Sequence, residues 1–385
     1  MKKEETEELI KYIINPENNP EKDRFAFKRI MSYMETHSNE YGTNTSFPCR
    51  VLWKITGICN CTCKHCWANL GHVTSSENLM KIAKELADNH IIMVSLSGGE
   101  PLLCKDLFSI YKELKRNNAI VEILTNGSLI TDGWIKEYLS VADTTTDVIQ
   151  ISLDGPNSKI HDLQRNTKIF DNVVSAIQRL KDNGIKVRIS FTATKNNQNY
   201  IYDTYLLAQS LGVDVMSISP VFPLRKGKEI VNLLDEEVYL SQLLKCFRKR
   251  SNTNTQIRAQ VGFGFQNKAL RYYNEKELEK DIKIIRDKSM CHYMQETNIS
   301  MQIDAFGEAL PGPEYENEHS AGNVYESSIS EIWREGKNWN EFRKGRTLDN
   351  TKCKNCKIFS ICGGGNAKIA FDKYGTINAP DGRCI

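Results

Sequence analysis

Along the middle of the chain, short apolar runs and amphipathic stretches take turns. β-branched or apolar runs at Val51 to Thr56, Ile91 to Leu96, Ile120 to Thr125, Val148 to Leu153, Val187 to Thr192 and Val213 to Ser219 predict six strands. Between them lie stretches of helical period and length, such as Ser76 to Asn89 and Lys105 to Asn117. Strands that alternate with helices build a parallel sheet with the helices outside it, because each parallel crossover needs a long connection. The pattern alone leaves open whether that sheet stays flat or curls into a full or partial barrel.

The flanks read differently. Residues 1–46 form a polar, partly helical extension with turn signals at Asn15-Pro16 and Asn19-Pro20. Leu233 to Arg250 and Glu275 to Arg286 look helical and bracket a Gly-Phe-Gly-Phe stretch. Beyond residue 290 the rhythm stops, and the rest is rich in Cys, Gly, Asn and Pro. A segment with so little apolar material needs another organising agent, and metal suits its cysteines. The expected division is an extension at 1–46, an α/β core at 47–235, a helical connector at 236–290 and a Cys-rich domain at 291–385.

Composition changes this picture only slightly. A net charge of +3 spread over 51 basic and 48 acidic side chains is too weak a bias for nucleic-acid or membrane-surface binding. With a charged N-terminus and no apolar run of membrane length, the expectation is a cytoplasmic protein. Twelve cysteines in such a chain point to metal ligation rather than to a disulfide framework.

The cysteines cluster. The segment Ile55-Thr-Gly-Ile-Cys59-Asn-Cys-Thr-Cys63-Lys-His-Cys66-Trp67 follows the first predicted strand and sets Cys59, Cys63 and Cys66 at C-x3-C-x2-C spacing. The C-terminal ends of the strands form the functional edge in parallel α/β folds. Three thiolates in one loop can hold three irons of a 4Fe-4S cluster and leave the fourth iron open. A zinc knot is the plainer alternative, but it needs a fourth ligand, and His65 is badly placed for that between two of the cysteines. Cys61 falls off the spacing and reads as a bystander, as do Cys49, Cys104 and Cys246.

Three further signatures follow at the ends of predicted strands: Ser97-Gly98-Gly99-Glu100-Pro101, Leu124-Thr125-Asn126-Gly127 and Ser152-Leu153-Asp154-Gly155. Together with the cysteine loop, and in this order, they resemble the radical SAM superfamily. The resemblance covers residues 50–230 and implies a partial (β/α)6 TIM-type barrel in an α/β chain. It implies a cluster on Cys59, Cys63 and Cys66 whose open iron is chelated by S-adenosylmethionine. Gly98, Gly99, Glu100, Asn126, Ser152 and Asp154 then surround that co-substrate, with Glu100 accepting from its ammonium group. His65 is expected near the adenine, with Trp67 beside it, and Arg165 on the carboxylate.

A second cysteine set, Cys353-x2-Cys356-x5-Cys362 with Cys384 further on, is complete for one closed site, of zinc or of iron and sulfide. Beside a radical SAM core it resembles the SPASM extension, which carries two auxiliary 4Fe-4S clusters. The match departs from the family pattern at two places: Gly312 and Asn366 stand where cysteines are expected, leaving Cys291 without those partners. One auxiliary cluster, on Cys353, Cys356, Cys362 and Cys384, is the expectation; Cys291 is a structural thiol or a hydrogen or electron donor to the substrate.

The activity implied is reductive cleavage of S-adenosylmethionine to a 5'-deoxyadenosyl radical that abstracts hydrogen from substrate, with a flavodoxin- or ferredoxin-type electron donor. The family's commonest substrates are ribosomal peptides or proteins, which points to a maturase that crosslinks or oxidises a side chain. A small-molecule enzyme of haem, cofactor or sugar-derived metabolite synthesis is the alternative. A non-catalytic zinc protein using its cysteine sets as interaction knuckles is the reading from another class.

Overall fold

A computed structural model describes residues 2, 4, 5, 8, 9 and 12, residues 45–260 except 69, 223–225, 231–233 and 251–253, and residues 299–384 except 313, 314, 338, 340–342, 344, 345, 357, 358, 360–363 and 383. The Gly-Phe-Gly-Phe stretch, the helix expected at Glu275 to Arg286, Cys291 and Cys362 lie outside the described residues.

The six expected strands are present as β1 (Arg50–Lys54), β2 (Met93–Ser97), β3 (Ile120–Thr125), β4 (Val148–Ser152), β5 (Val187–Ala193) and β6 (Val215–Pro220). They pair in parallel, each with its neighbour in sequence. The crossovers are α1 (Ser76–Asp88), α2 (Leu107–Lys115), α3 (Asp132–Leu139), α4 (Ser158–Arg165) with α5 (Phe170–Asp182), and α6 (Ile201–Ser210). α1 shows why such stretches are helices. The Ser75 hydroxyl caps it by accepting from Asn78 N, and Leu79, Ile82, Ala83 and Leu86 recur at helical spacing on its buried face. That face joins Val51, Val94 and Val121 from the sheet in one core.

Three strands escape the sequence pattern. β7 (Gln256–Ala259) extends the sheet beside β6, and β8 (Ser300–Ile303) pairs in parallel with β1 on the other side, carrying β9 (Ala309–Leu310) antiparallel to it. The sheet order is β7-β6-β5-β4-β3-β2-β1-β8-β9. Residues 300–310, within the Cys-rich segment, thus add two strands to the same sheet. Near the N-terminus, Leu9 is buried in the main core and Tyr12 stacks on Phe247 of α7 (Glu236–Arg250).

The sheet is curled. Glu122 on β3 pairs with Arg188 on β5, across β4, and also accepts from the Ser95 hydroxyl on β2 at 2.9 Å. Arg188 Nε donates to Gln150 on β4 at 2.9 Å. Strands two apart are separated by about 10 Å in a flat sheet, a span that a long Arg and a Glu side chain bridge most readily where the face is concave. This polar concave face opposite the apolar, helix-covered one is the partial barrel that the family resemblance implies.

Candidate active site

Beyond β1 the chain makes a loop closed at its neck: Gly57 N donates to His72 O at 2.8 Å, and Gly71 N to Gly57 O at 2.9 Å. Cys59, Cys63 and Cys66 lie inside this loop, with Cys63 buried and the other two half-buried. The turn after β2 is zipped to it, Gly99 N donating to Thr56 O and Glu100 N to Ile58 O, each at 2.7 Å. A Cβ on Gly98 would stand 2.3 Å from Thr56 O, and one on Gly99 2.3 Å from Ile58 O. The close approach that needs these glycines is to the cysteine loop itself.

Glu100 is fully buried, and its carboxylate joins two loops. Oε1 accepts from Thr125 Oγ1 at 2.6 Å and Leu102 N at 3.1 Å, and Oε2 accepts from Asn126 N at 2.8 Å. Burial raises its pKa, and these hydrogen bonds oppose the rise. Asn126 in turn donates to Asn60 Oδ1 at 2.8 Å, tying the Leu124 to Gly127 signature to the cysteine loop.

The third wall is α4, capped by Asn157 at its start and ended by Asn166 in the left-handed conformation. His161, Gln164 and Arg165, spaced i, i+3, i+4, share its buried face. Arg165 Nη2 pairs with Asp154 Oδ2 at 2.7 Å, Nη1 lies 3.7 Å from Cys63 Sγ, and Nε is buried without a partner. Gln164 Nε2 donates to His65 Nδ1 at 2.8 Å, while its Oε1 accepts from Thr194 Oγ1 at 3.1 Å. His65 is held near pKa 4 by burial, with the Asp154 charge opposing. Asp154 Oδ1 accepts from Thr192 N at 2.8 Å. Ser152 ends β4, in register with Ser190 of β5 and half-buried.

The thiols differ electrostatically. A hydrogen bond from the Cys61 thiol lowers Cys63 to about 6, with burial opposing and Arg165 assisting. Cys59 is lowered by the same neighbour, Cys61 itself is raised, and burial pushes Cys66 up. Lys54 Nζ sits over the Trp67 ring at 4.3 Å, just behind Cys66. Among the described residues no three His, Cys, Asp or Glu side chains gather round a point that one ion would fill. A four-iron cluster takes one thiolate per iron, so its ligands enclose a volume instead of a point.

In the C-terminal segment Cys353 and Cys356 share one turn, with Cys356 N donating to Cys353 O at 3.1 Å. Lys352 Nζ reaches Cys384 O at 2.7 Å, which brings that cysteine to the same neighbourhood. Gly364 and Gly365 are both left-handed, and Arg346 donates to Gly365 O, Ile377 O and Ala379 O. Asn366, standing where the SPASM pattern has a cysteine, caps α9 (Ala367–Tyr374) by accepting from Ile369 N, α8 being Ile329–Glu335. Gly312, at the other such position, is buried. Leu310, Tyr315 and Ile377 pack with Ala367 and Phe371 beside these two positions as a small apolar core.

A strand-borne cysteine loop, a glutamate bracket and a helix-borne cationic fork at one barrel edge define an iron-sulfur enzyme that uses S-adenosylmethionine. The chain belongs to the radical SAM superfamily, whose model matches residues 53–207, and an iron-sulfur cluster-binding domain of SPASM type matches residues 291–357. It is 25% identical to an AdoMet-dependent heme synthase of Oleidesulfovibrio alaskensis, over 87% of each chain. It is 25% identical to the mycofactocin maturase MftC of Mycobacterium tuberculosis, over 88% of this chain and 83% of that one. The fold is similar to that of Streptococcus suis SuiB bound to precursor peptide SuiA, with a TM-score of 0.72 at 17% identity, covering 95% of this chain and 81% of that one. Membership in this enzyme superfamily removes the non-catalytic zinc reading. Among the described residues no helix is long and apolar enough to cross a membrane.

The sequence left His161, Gln164, Thr194 and Asn197 without roles, although all four are buried around Asp154 and His65. Only the i, i+3, i+4 spacing of His161, Gln164 and Arg165 signalled part of this cluster.

Proposed function

We propose that Cys59, Cys63 and Cys66 hold a 4Fe-4S cluster, that the groups around them bind S-adenosylmethionine, and that the substrate is a ribosomal peptide or protein. When bound, the cluster supplies the electron for reductive cleavage of S-adenosylmethionine, which gives the radical that takes hydrogen from substrate. The chain's part is to bind, orient and exclude.

The observation that carries the reading is the convergence of Glu100, Asp154 and Arg165 on the cysteine loop. An ionised carboxylate offers about four lone-pair sites, and Glu100 uses three on its own chain, leaving Oε2 able to accept from an ammonium group. Arg165, whose Nη1 lies 3.7 Å from Cys63 Sγ, has an unpartnered, buried Nε, a donor for the co-substrate's carboxylate. His65, neutral near pH 7, presents an apolar ring face and a hydrogen-bonding edge that suit an adenine. Ser152 and Asn126 complete the wall towards the ribose and methionyl part.

One auxiliary cluster on Cys353, Cys356, Cys362 and Cys384 follows from the donor set, because Gly312 offers no ligand and Asn366 is engaged as a helix cap. The external electron donor is of flavodoxin or ferredoxin type.

Similarity over most of the chain to a protein named as a maturase favours a peptide substrate. The comparable similarity to a heme synthase favours the second reading, a small-molecule substrate. Anaerobic incubation with S-adenosylmethionine, reductant and either a candidate precursor peptide or a candidate metabolite separates them. A peptide that loses two hydrogens by mass, with 5'-deoxyadenosine formed in proportion, is the expected result. Absence of any peptide change, with turnover of a porphyrin or other metabolite, sinks the maturase reading.

A further inference from the structure

His161 is fully buried on the inner face of α4. Its Nδ1 accepts from Asp154 N at 3.1 Å, so the ring is neutral and carries its proton on Nε2, which is buried without a partner. The ring rests against Phe170, with centroids 5.8 Å apart. Burial and the Arg165 charge hold its pKa near 4.

The Asp154 N–H needs such a partner. The ladder ends one residue earlier, where Leu153 N donates to Ser190 O at 3.1 Å, and Asp154 is wholly buried. Without His161 its amide would be a buried donor with no acceptor. On the other side of Asp154, Asn197 Nδ2 donates to Asp154 O at 3.0 Å. The two peptide planes flanking Asp154 are thus held by different side chains, His161 in front and Asn197 behind. The helix lies so close that a Cβ on Gly155 would come 2.7 Å from His161 N. With Thr192 N on Oδ1, Oδ2 is left facing Arg165 Nη2 at 2.7 Å, with His65 Nε2 further off at 3.8 Å.

We propose that His161 is a positioning residue: by accepting the Asp154 N–H it fixes the Asp154 carboxylate, and through that the Arg165 fork beside Cys63. The inference rests on Arg165 serving the co-substrate, as proposed above. A packing role against Phe170 is the competing explanation, and substitutions separate the two. His161→Leu keeps bulk and loses the acceptor, whereas His161→Asn sets a carboxamide oxygen about where the imidazole Nδ1 stands.

Three quantities are read on the anaerobic holoenzyme: iron content, hydrogen exchange of the peptide spanning residues 153–157, and the dissociation constant for S-adenosylmethionine. Both variants should keep wild-type iron. His161→Leu should speed exchange at Asp154 and weaken binding, each by about tenfold, the loss of one hydrogen bond, and His161→Asn should restore both to within about threefold. His161→Leu/Arg165→Ala should bind no more weakly than Arg165→Ala alone, because His161 acts through that residue. Loss of iron from His161→Leu, wild-type exchange in it, no rescue by His161→Asn, or additive effects in the double variant would each overturn the proposal. If Arg165→Ala itself binds normally, the cofactor reading of Arg165 fails, and the exchange result still decides the role of His161.

Discussion

Arg165 Nη2 stands 2.7 Å from Asp154 Oδ2, with 9% of the arginine side chain and none of the aspartate exposed. Hydrogen bonds to charged groups are worth about 1.5–3 kcal/mol, so Arg165→Ala should raise the S-adenosylmethionine dissociation constant at least about tenfold. Iron content should stay intact, since no metal ligand is lost. Equilibrium binding to the reconstituted protein measures this, and an unchanged constant makes Arg165 a purely structural partner of Asp154.

Reconstituted protein should hold two 4Fe-4S clusters, one on the loop and one on the C-terminal set. A Cys59/Cys63/Cys66 triple alanine variant should keep the auxiliary cluster and make no 5'-deoxyadenosine with dithionite. Iron and sulfide analysis with Mössbauer spectroscopy counts the clusters. A third cluster in the wild type would contradict the reading of Gly312 and Asn366.

How much of this was legible depended on contiguity. The strand at Ile120 to Thr125 has the predicted limits because four of its six residues are apolar and only Glu122 interrupts them, whereas Gln256–Ala259 and Ser300–Ile303 are four residues each and mix polar with apolar positions. The same holds at the site. Cysteine loop and signatures are short local strings, read directly, but the Asn197 and Thr194 contacts depend on where β5 ends relative to α4, which no local pattern encodes. The glycines carry a contact that the sequence did not signal. Gly98 and Gly99 were expected to admit a ligand, and the nearest obstacle to a side chain there is the backbone of Thr56 and Ile58.

That packing has its own consequence. Gly99→Ala would place a Cβ 2.3 Å from Ile58 O and 3.0 Å from the Cys59 Cβ, so the loop must shift at its first ligand. Overpacking of this kind costs about 1–3 kcal/mol. The expected outcome is a lower thermal midpoint and reduced cluster occupancy, read as absorbance near 400 nm per chain. Gly184→Ala, at a position with a φ of +68° but nothing within 4 Å, tests left-handed strain alone and should leave iron unchanged.

Buried neutral His161 also makes stability depend on pH. Its folded pKa near 4 lies below the unfolded value of about 6.5, so below pH 6.5 the unfolded chain takes up a proton that the folded chain refuses. The contribution is fully present above pH 6.5 and is lost as pH falls towards 4, by up to about 1.4 kcal/mol per unit. His161→Asn has no such group and should lose correspondingly less stability from pH 7 to pH 5. Urea midpoints of both proteins across that range test the sign, and parallel curves would mean that His161 already ionises in the fold.

At two positions, Gly312 and Asn366, this chain departs from the SPASM pattern. Asn366 accepts from Ile369 N and starts α9, and an apolar core of Leu310, Tyr315, Ile377 and Phe371 packs beside it and Gly312. A side chain capping a helix cannot ligate iron without giving up the cap, which would cost about 1 kcal/mol. Cys291→Ala should therefore leave the iron count at its wild-type value. A fall by one cluster would show that Cys291 ligates iron with partners other than Gly312 and Asn366. If iron holds but turnover stops after 5'-deoxyadenosine has formed, Cys291 donates a hydrogen atom or an electron to the substrate radical. Restoring the family residues as Gly312→Cys/Asn366→Cys completes the test. With the apolar core in place the double variant should gain no iron and should lose helix stability, whereas a gain of four irons would mean that only the ligands, and not the space, had been lost.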